Sequence, residues 1–125
     1  KNAWVEGKGD VITKIFLKPA WFIMIFGKHN VSTSDIYSLL EIPDEPSYYS
    51  YDDYINNNFQ NNFEEIVFNK YPSIKKSYEI LSNLGNARMS GTGGTIFVSF
   101  DSLERAKSAI SAIPKNQKAF LIASL

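Results

Sequence analysis

The sequence has no cysteine and a single histidine in 125 residues. Without cysteine there is no disulfide framework, no thiolate metal site and no cysteine nucleophile. This usage suits a reducing compartment, and a cytoplasmic location is expected. His29 has no second His, Cys or carboxylate cluster at ligand spacing, so no metal site is expected in this chain. Nothing arranges a Ser-His-Asp triad around it. Charge of one sign is also lacking, because 13 Lys and Arg balance 13 Asp and Glu. A neutral chain has no electrostatic footprint for nucleic acid. Long apolar runs are missing too. The longest, Trp21 to Phe26, falls well short of the ~18 residues that a membrane span needs, so no membrane partner is expected. The opening Lys1-Asn2-Ala3-Trp4 carries no initiator Met and no signal-peptide pattern, and the chain is expected to be a piece of a longer protein.

What remains is ordinary for a globular domain: 44% hydrophobic and 14% aromatic residues. One domain over residues 1–125 follows from the length. Val11 to Leu17 is rich in Val, Ile and Phe and stops before Pro19, as a strand does. Trp21 to Phe26 is short, continuously apolar and closed by Gly27, which predicts a buried central strand. Ser32, Thr33 and Ser34 offer hydroxyl caps to a short helix with Ile36, Leu39 and Leu40 as its apolar stripe. Residues 43–54 hold prolines, tyrosines and carboxylates without a period and predict an acidic loop. The span Asn56 to Tyr71 holds a helix candidate whose Asn-rich start suits caps and loops better than a helix interior, and another helix is predicted from Pro72, with Ile74, Tyr78, Leu81 and Leu84 on one face, to Gly85. Two strands, Asn86 to Ser90 and Thr95 to Phe100, flank a glycine cluster. Asp101 with Glu104 predicts a capping box for a last helix that Pro114 stops. Ala119 to Ala123 is the closing strand.

The resulting order is β-β-α-α-α-β-β-α-β. It implies an α+β fold with a mostly antiparallel sheet and helices on one face. From Trp21 onward it matches a β-α-β-β-α-β ferredoxin-like plait with added helices.

Two segments could carry chemistry. The first is Arg88-Met89-Ser90-Gly91-Thr92-Gly93-Gly94-Thr95. Its glycines fit a tight strand-to-strand turn. They also fit a nest of backbone N–H groups that approaches an anion, with Ser90, Thr92 and Thr95 as hydroxyl donors. Neither dinucleotide nor Walker patterns apply, since Ile96 breaks GxGxxG and GxxxxGK[ST] is absent. The second is Val31 to Tyr37, where Thr33 and Tyr37 stand four apart on one helix face. A hydroxyl beside an aromatic ring suits a flat heterocycle, and equally suits a helix cap followed by a core aromatic.

The run Ala87 to Phe100 (ARMSGTGGTIFVSF) resembles the third motif of the GHMP kinases. It is most similar to the branch acting on 4-diphosphocytidyl-2-C-methyl-D-erythritol, written R-[LM]-[ST]-G-[ST]-G-[AG]. AWVEGKGD (Ala3 to Asp10), PAWFIMI followed by VSTSDIY, and NNFEEIVFNKYPSI (Asn61 to Ile74) resemble further segments of that branch in order and spacing. Phe26-Gly27-Lys28 replaces the usual Pro-Gly, Asn62 the commoner Asp of N-D-x-E, and Thr95 a common Cys.

The resemblance implies a two-lobed kinase of non-mevalonate isoprenoid biosynthesis whose second lobe is a ferredoxin-like plait. It implies ATP and Mg²⁺ as cofactors of the full-length parent, with none expected on this piece. The catalytic Lys and Asp and the ATP phosphate loop belong to the first lobe, which ends about where this chain begins. Residues 1–10 would close the lobe junction. This chain would then hold no catalytic residue of its own and would be inactive alone. Thr33 and Tyr37 match substrate-binding positions near the cytidine, with Tyr37 stacking on the cytosine. Ser90, Gly91, Thr92 and Gly93 match the loop that supports the phosphate region.

The expected partners are the small-molecule substrate and the chain's own N-terminal lobe. An apolar patch on the open side of the sheet is expected where that lobe would sit, and a homo-oligomer through the same patch is compatible with it. A regulatory small-molecule-binding plait of the ACT type is the alternative reading.

Overall fold

The computed structural model describes residues 2–27, 31–41, 50–56, 61–91 and 94–124. Six strands and five helices are present among them: β1 (Asn2–Glu6), β2 (Val11–Ile15), β3 (Trp21–Ile25), α1 (Thr33–Leu39), α2 (Tyr51–Ile55), α3 (Glu64–Lys70), α4 (Pro72–Ser82), β4 (Arg88–Ser90), β5 (Thr95–Phe100), α5 (Leu103–Ser111) and β6 (Ala119–Ala123). β3 to β6 form a four-stranded sheet in the order β4-β5-β3-β6, and every neighbouring pair is antiparallel. Taken from β3, this is the order of the ferredoxin-like plait.

The period of two along each strand decides the layering. Ile23 and Ile25 of β3, Met89 of β4, and Ile96 and Val98 of β5 point to one side, where they meet Ile36, Val67, Ile74 and Leu81 of the helices. Complete burial of an isoleucine contributes roughly 1.5–3 kcal/mol, so this row of five strand residues is a main source of stability. α4 packs on β5, and α5 packs on β3, β5 and β6. The alternate residues, Phe22, Met24, Phe97, Phe120 and Ile122, lie on the other face. Phe120 and Ile122 are 49% and 41% exposed, and Phe26 continues the row at 52%. The expected apolar patch on the open side of the sheet is therefore present. Ring pairs knit it together, with Phe22 and Phe97 6.2 Å apart and Phe26 and Phe120 5.5 Å apart.

Three local features differ from the sequence expectation. β1 pairs with β2 in a separate two-stranded hairpin. Most of its residues are exposed, so it carries little of the apolar alternation that marks a strand. α2 lies inside the segment expected to be a loop. Ser50 and Asp53 form a capping box around its first turn, a signal that the dense tyrosines and carboxylates obscure. Within the 56–71 span the helix runs over Glu64–Lys70, past the Asn-rich start, as expected. In α5 the cap is Ser102, whose hydroxyl accepts from the Arg105 N–H at 3.2 Å, while Asp101 pairs with the exposed Arg105 guanidinium. Ser102 has the extended backbone that a cap requires, so it takes the role one residue later than expected. Pro72 does open α4 as expected, in its first turn.

Candidate substrate and phosphate site

Thr33 and Tyr37 sit on α1, directly after the buried central strand β3. Ser32 caps α1, and its own N–H donates to the Tyr71 hydroxyl at 3.4 Å. Ile36 is fully buried, which fixes the rotation of the helix. Lys70 at the end of α3 pairs with Asp35 at 3.2 Å and ties the two helices together. With Ile36 turned inward, Tyr37 turns outward and is 58% exposed. Phe63 meets its ring edge-on, with centroids 5.0 Å apart. The core-aromatic reading of Tyr37 is thus incorrect, and the exposed ring has a face to offer.

β4 and the residue after it form the start of the glycine loop. Thr92 and Gly93 lie outside the described residues, as do His29 and residues 42–49 of the acidic segment. β4 is an edge strand, and an edge presents unpaired N–H and C=O groups. Here side chains satisfy them. The Asn61 amide donates to the Met89 carbonyl at 3.0 Å and to the Gly91 carbonyl at 2.9 Å. The Glu64 carboxylate accepts from the Met89 N–H at 2.9 Å. Asn61 also uses its carbonyl oxygen to accept from the Phe63 N–H at 3.0 Å, which starts α3. Neither Asn61 nor Glu64 was expected to serve the site. Their spacing of three ahead of a helix was visible in the sequence, but nothing local indicates that they serve a strand 25–30 residues away.

The other end of the loop is set by packing. Gly94 has φ +75°, and a Cβ there would stand 2.7 Å from Ile74 Cδ1 and 3.1 Å from Val31 Cγ2. A Cβ on Gly27, at the end of β3, would stand 3.1 Å from the Gly94 carbonyl. The loop thus closes against Val31, two residues before Thr33. Both candidate segments therefore belong to one end of the molecule. Phe63, which props Tyr37, also lines a concavity of about 1050 Å³ together with Asn61, Glu64, Arg88, Ser90 and Gly91.

Burial holds the Arg88 guanidinium below its usual pKa, an effect that the nearby Tyr54 and Glu64 oppose. It stays charged all the same. Tyr54 belongs to α2, and Trp4 of the hairpin packs on both Tyr51 and Tyr54, with centroids 5.7 and 6.2 Å away.

The cap of α2 gives a pH test. The Ser50 backbone N–H, and after it the Ser50 hydroxyl, hold the Asp53 carboxyl below its ordinary value of 3.8. A depressed folded-state value means that the cap stabilises α2 above the unfolded pKa and is lost as pH falls through the folded one. The Asp53 carboxyl carbon, followed by NMR, is expected to titrate below 3.8, and in Ser50→Ala its midpoint should rise towards that value. Equal midpoints in the two proteins would mean that the Ser50 hydroxyl adds nothing to the backbone N–H, which the alanine keeps.

Among the described residues no group of three or more His, Cys, Asp or Glu could hold a metal ion. The Glu64 carboxylate, beside the entry to the loop, is already engaged by the Met89 N–H. The described part of the chain therefore offers a Mg²⁺ ion no cluster of three such side chains. Among the same residues no helix is long and apolar enough to cross a membrane.

Residues 50–119 match the family described as GHMP kinases C terminal. The chain belongs to the GHMP kinase family. Its relatives within the GHMP kinases are consistent in name. It is 31% identical over 124 residues to the 4-diphosphocytidyl-2-C-methyl-D-erythritol kinase of Buchnera aphidicola subsp. Acyrthosiphon pisum, covering 99% of this chain and 43% of that one. It is 30% identical over 128 residues to the enzyme of the same name from Nitrosospira multiformis, covering 100% of this chain and 44% of that one. A crystal structure titled 4-(cytidine 5'-diphospho)-2C-methyl-D-erythritol kinase superposes with a TM-score of 0.71 at 21% identity, over 97% of this chain and 48% of that one. The chain thus spans less than half the length of these relatives, and the GHMP kinase C-terminal fold is the ferredoxin-like plait described above.

Proposed function

We propose that this chain is the substrate-gripping C-terminal lobe of a kinase that transfers the γ-phosphoryl of ATP to the 2-hydroxyl of 4-diphosphocytidyl-2-C-methyl-D-erythritol. Tyr37 stacks on the cytosine, Thr33 lies beside it on the same helix face, and the Ser90-Gly91-Thr92-Gly93 segment supports the phosphate region. The observation that carries this reading is the outward ring of Tyr37, braced by Phe63 at the same end of the molecule as Gly91. Phosphoryl transfer depends on positioned charge around the transferring group. The catalytic Lys and Asp, the ATP phosphate loop and the Mg²⁺ ligands belong to an N-terminal lobe that this reading places before residue 1.

Two results follow. Titration with cytidine diphosphate should shift the NMR signals of Thr33 and Tyr37, whereas free amino acids should leave them in place; the reverse would favour a regulatory amino-acid-binding plait. The 125-residue chain, supplied with ATP, Mg²⁺ and the cytidine-linked substrate, should form no phosphorylated product. Turnover by this chain alone would overturn the division of labour.

A further inference from the structure

Asn61 joins the entry of the glycine loop to the turn that carries Phe63, the ring partner of Tyr37. Its amide nitrogen holds the carbonyls of Met89 and Gly91, at the entry to the glycine loop. Its amide oxygen holds the N–H of Phe63, whose ring braces Tyr37. All three bonds lie between 2.9 and 3.0 Å. An amide is suited to this task, because it presents two donors and an acceptor on one rigid plane. A carboxylate of the same shape keeps only the acceptor side and would face two carbonyl oxygens with no proton between them. Glu64, one turn on, takes the remaining Met89 N–H, so the clasp spans one edge of β4 from α3.

We propose that Asn61 is a positioning residue that couples the Tyr37–Phe63 ring pair to the glycine loop, so that a displacement of either is felt by the other. Its use in substrate binding rests on the reading given under Proposed function; the coupling itself does not. If the Met89 and Gly91 carbonyls shift, the amide plane turns, and the Phe63 N–H and the start of α3 turn with it. The phosphate end and the base end of a ligand would then be held at a set separation.

The test is Asn61→Asp in the whole chain, with two probes read by NMR without ligand: the Gly91 amide and the Tyr37 ring. Near neutral pH both signals should move from their wild-type positions. The introduced carboxyl sits beside two carbonyl oxygens and should titrate above its ordinary value of about 3.9. Once protonated it regains one O–H donor. On acidification both probes should therefore return part-way towards wild type with one shared midpoint. Tyr54, Glu64, Tyr78 and Arg88 are the other titratable groups lining the concavity with this position, and the wild type titrated over the same range subtracts their contribution. If Asn61→Asp does not fold, Asn61→Ser reads the same two probes without a charge, and both should again move together.

Movement of the Gly91 amide with the Tyr37 ring unmoved, or two separate midpoints, would overturn the coupling. Cytidine diphosphate affinity is measured alongside, and a fall of about 10-fold in Asn61→Asp is expected. Coupled probes in a protein whose wild type ignores cytidine diphosphate would leave the clasp standing and sink the kinase reading alone.

Discussion

Tyr37→Ala is expected to weaken cytidine diphosphate binding by about 10-fold to 100-fold, because stacking a base on an aromatic face contributes ~1–3 kcal/mol. The fold should tolerate the change. The ring is 58% exposed, and it pairs with the Phe63 ring at a centroid distance of 5.0 Å. Such a ring pair contributes about 0.5–1.5 kcal/mol, so the loss of stability should stay near that size. Tyr37→Phe keeps the π-face and should bind almost as well as wild type. The pair of variants separates stacking from hydroxyl chemistry. Calorimetric titration of the three proteins checks it, and an unchanged dissociation constant in Tyr37→Ala would remove this ring from the site.

Gly94→Ala should destabilise the protein by about 2–4 kcal/mol. One part is conformational, since a left-handed backbone costs an L-residue ~1–2 kcal/mol and Gly94 has φ +75°. The other is steric. The new Cβ would meet Ile74 Cδ1 at 2.7 Å and Val31 Cγ2 at 3.1 Å. Ile74 is 1% exposed and anchors the start of α4 in the core, so it has no space to yield into. Overfilling a packed core costs typically ~1–3 kcal/mol. Gly91→Ala is the internal control. That residue is also left-handed, at φ +53°, but a Cβ there meets nothing within 4 Å. It should show the conformational part alone. Urea denaturation of both variants measures the difference, and equal losses would mean that Gly94 serves the turn alone.

Much of the fold was legible in the chain. The unbroken apolar run Trp21 to Phe26 marked the central strand, because a strand flanked on both sides and covered on one face needs little else. Pro72 marked the start of α4, since its missing N–H is harmless only there. The Ser90 to Gly94 cluster marked a turn. Less was legible where the signal was sparse or crowded. β1 is a mostly exposed strand without alternation, and α2 is a five-residue helix whose cap falls in a stretch of sequence crowded with tyrosines and carboxylates. Asp101 and Ser102 offered two adjacent caps, and only the backbone angle at Ser102 chose between them.

The site divides in the same way. Sequence by itself determined the order of strands and helices apart from β1 and α2, the segments that carry Thr33, Tyr37 and the glycines, and the likeness to the GHMP kinases, because these depend on local residue type and spacing. Tertiary structure alone decided that Tyr37 faces outward, since that follows from Ile36 taking the inward direction. It alone brought Asn61 and Glu64 to the edge of β4. An edge strand's open hydrogen bonds are a property of the assembled sheet, and which distant side chains meet them is settled only when the helices have packed.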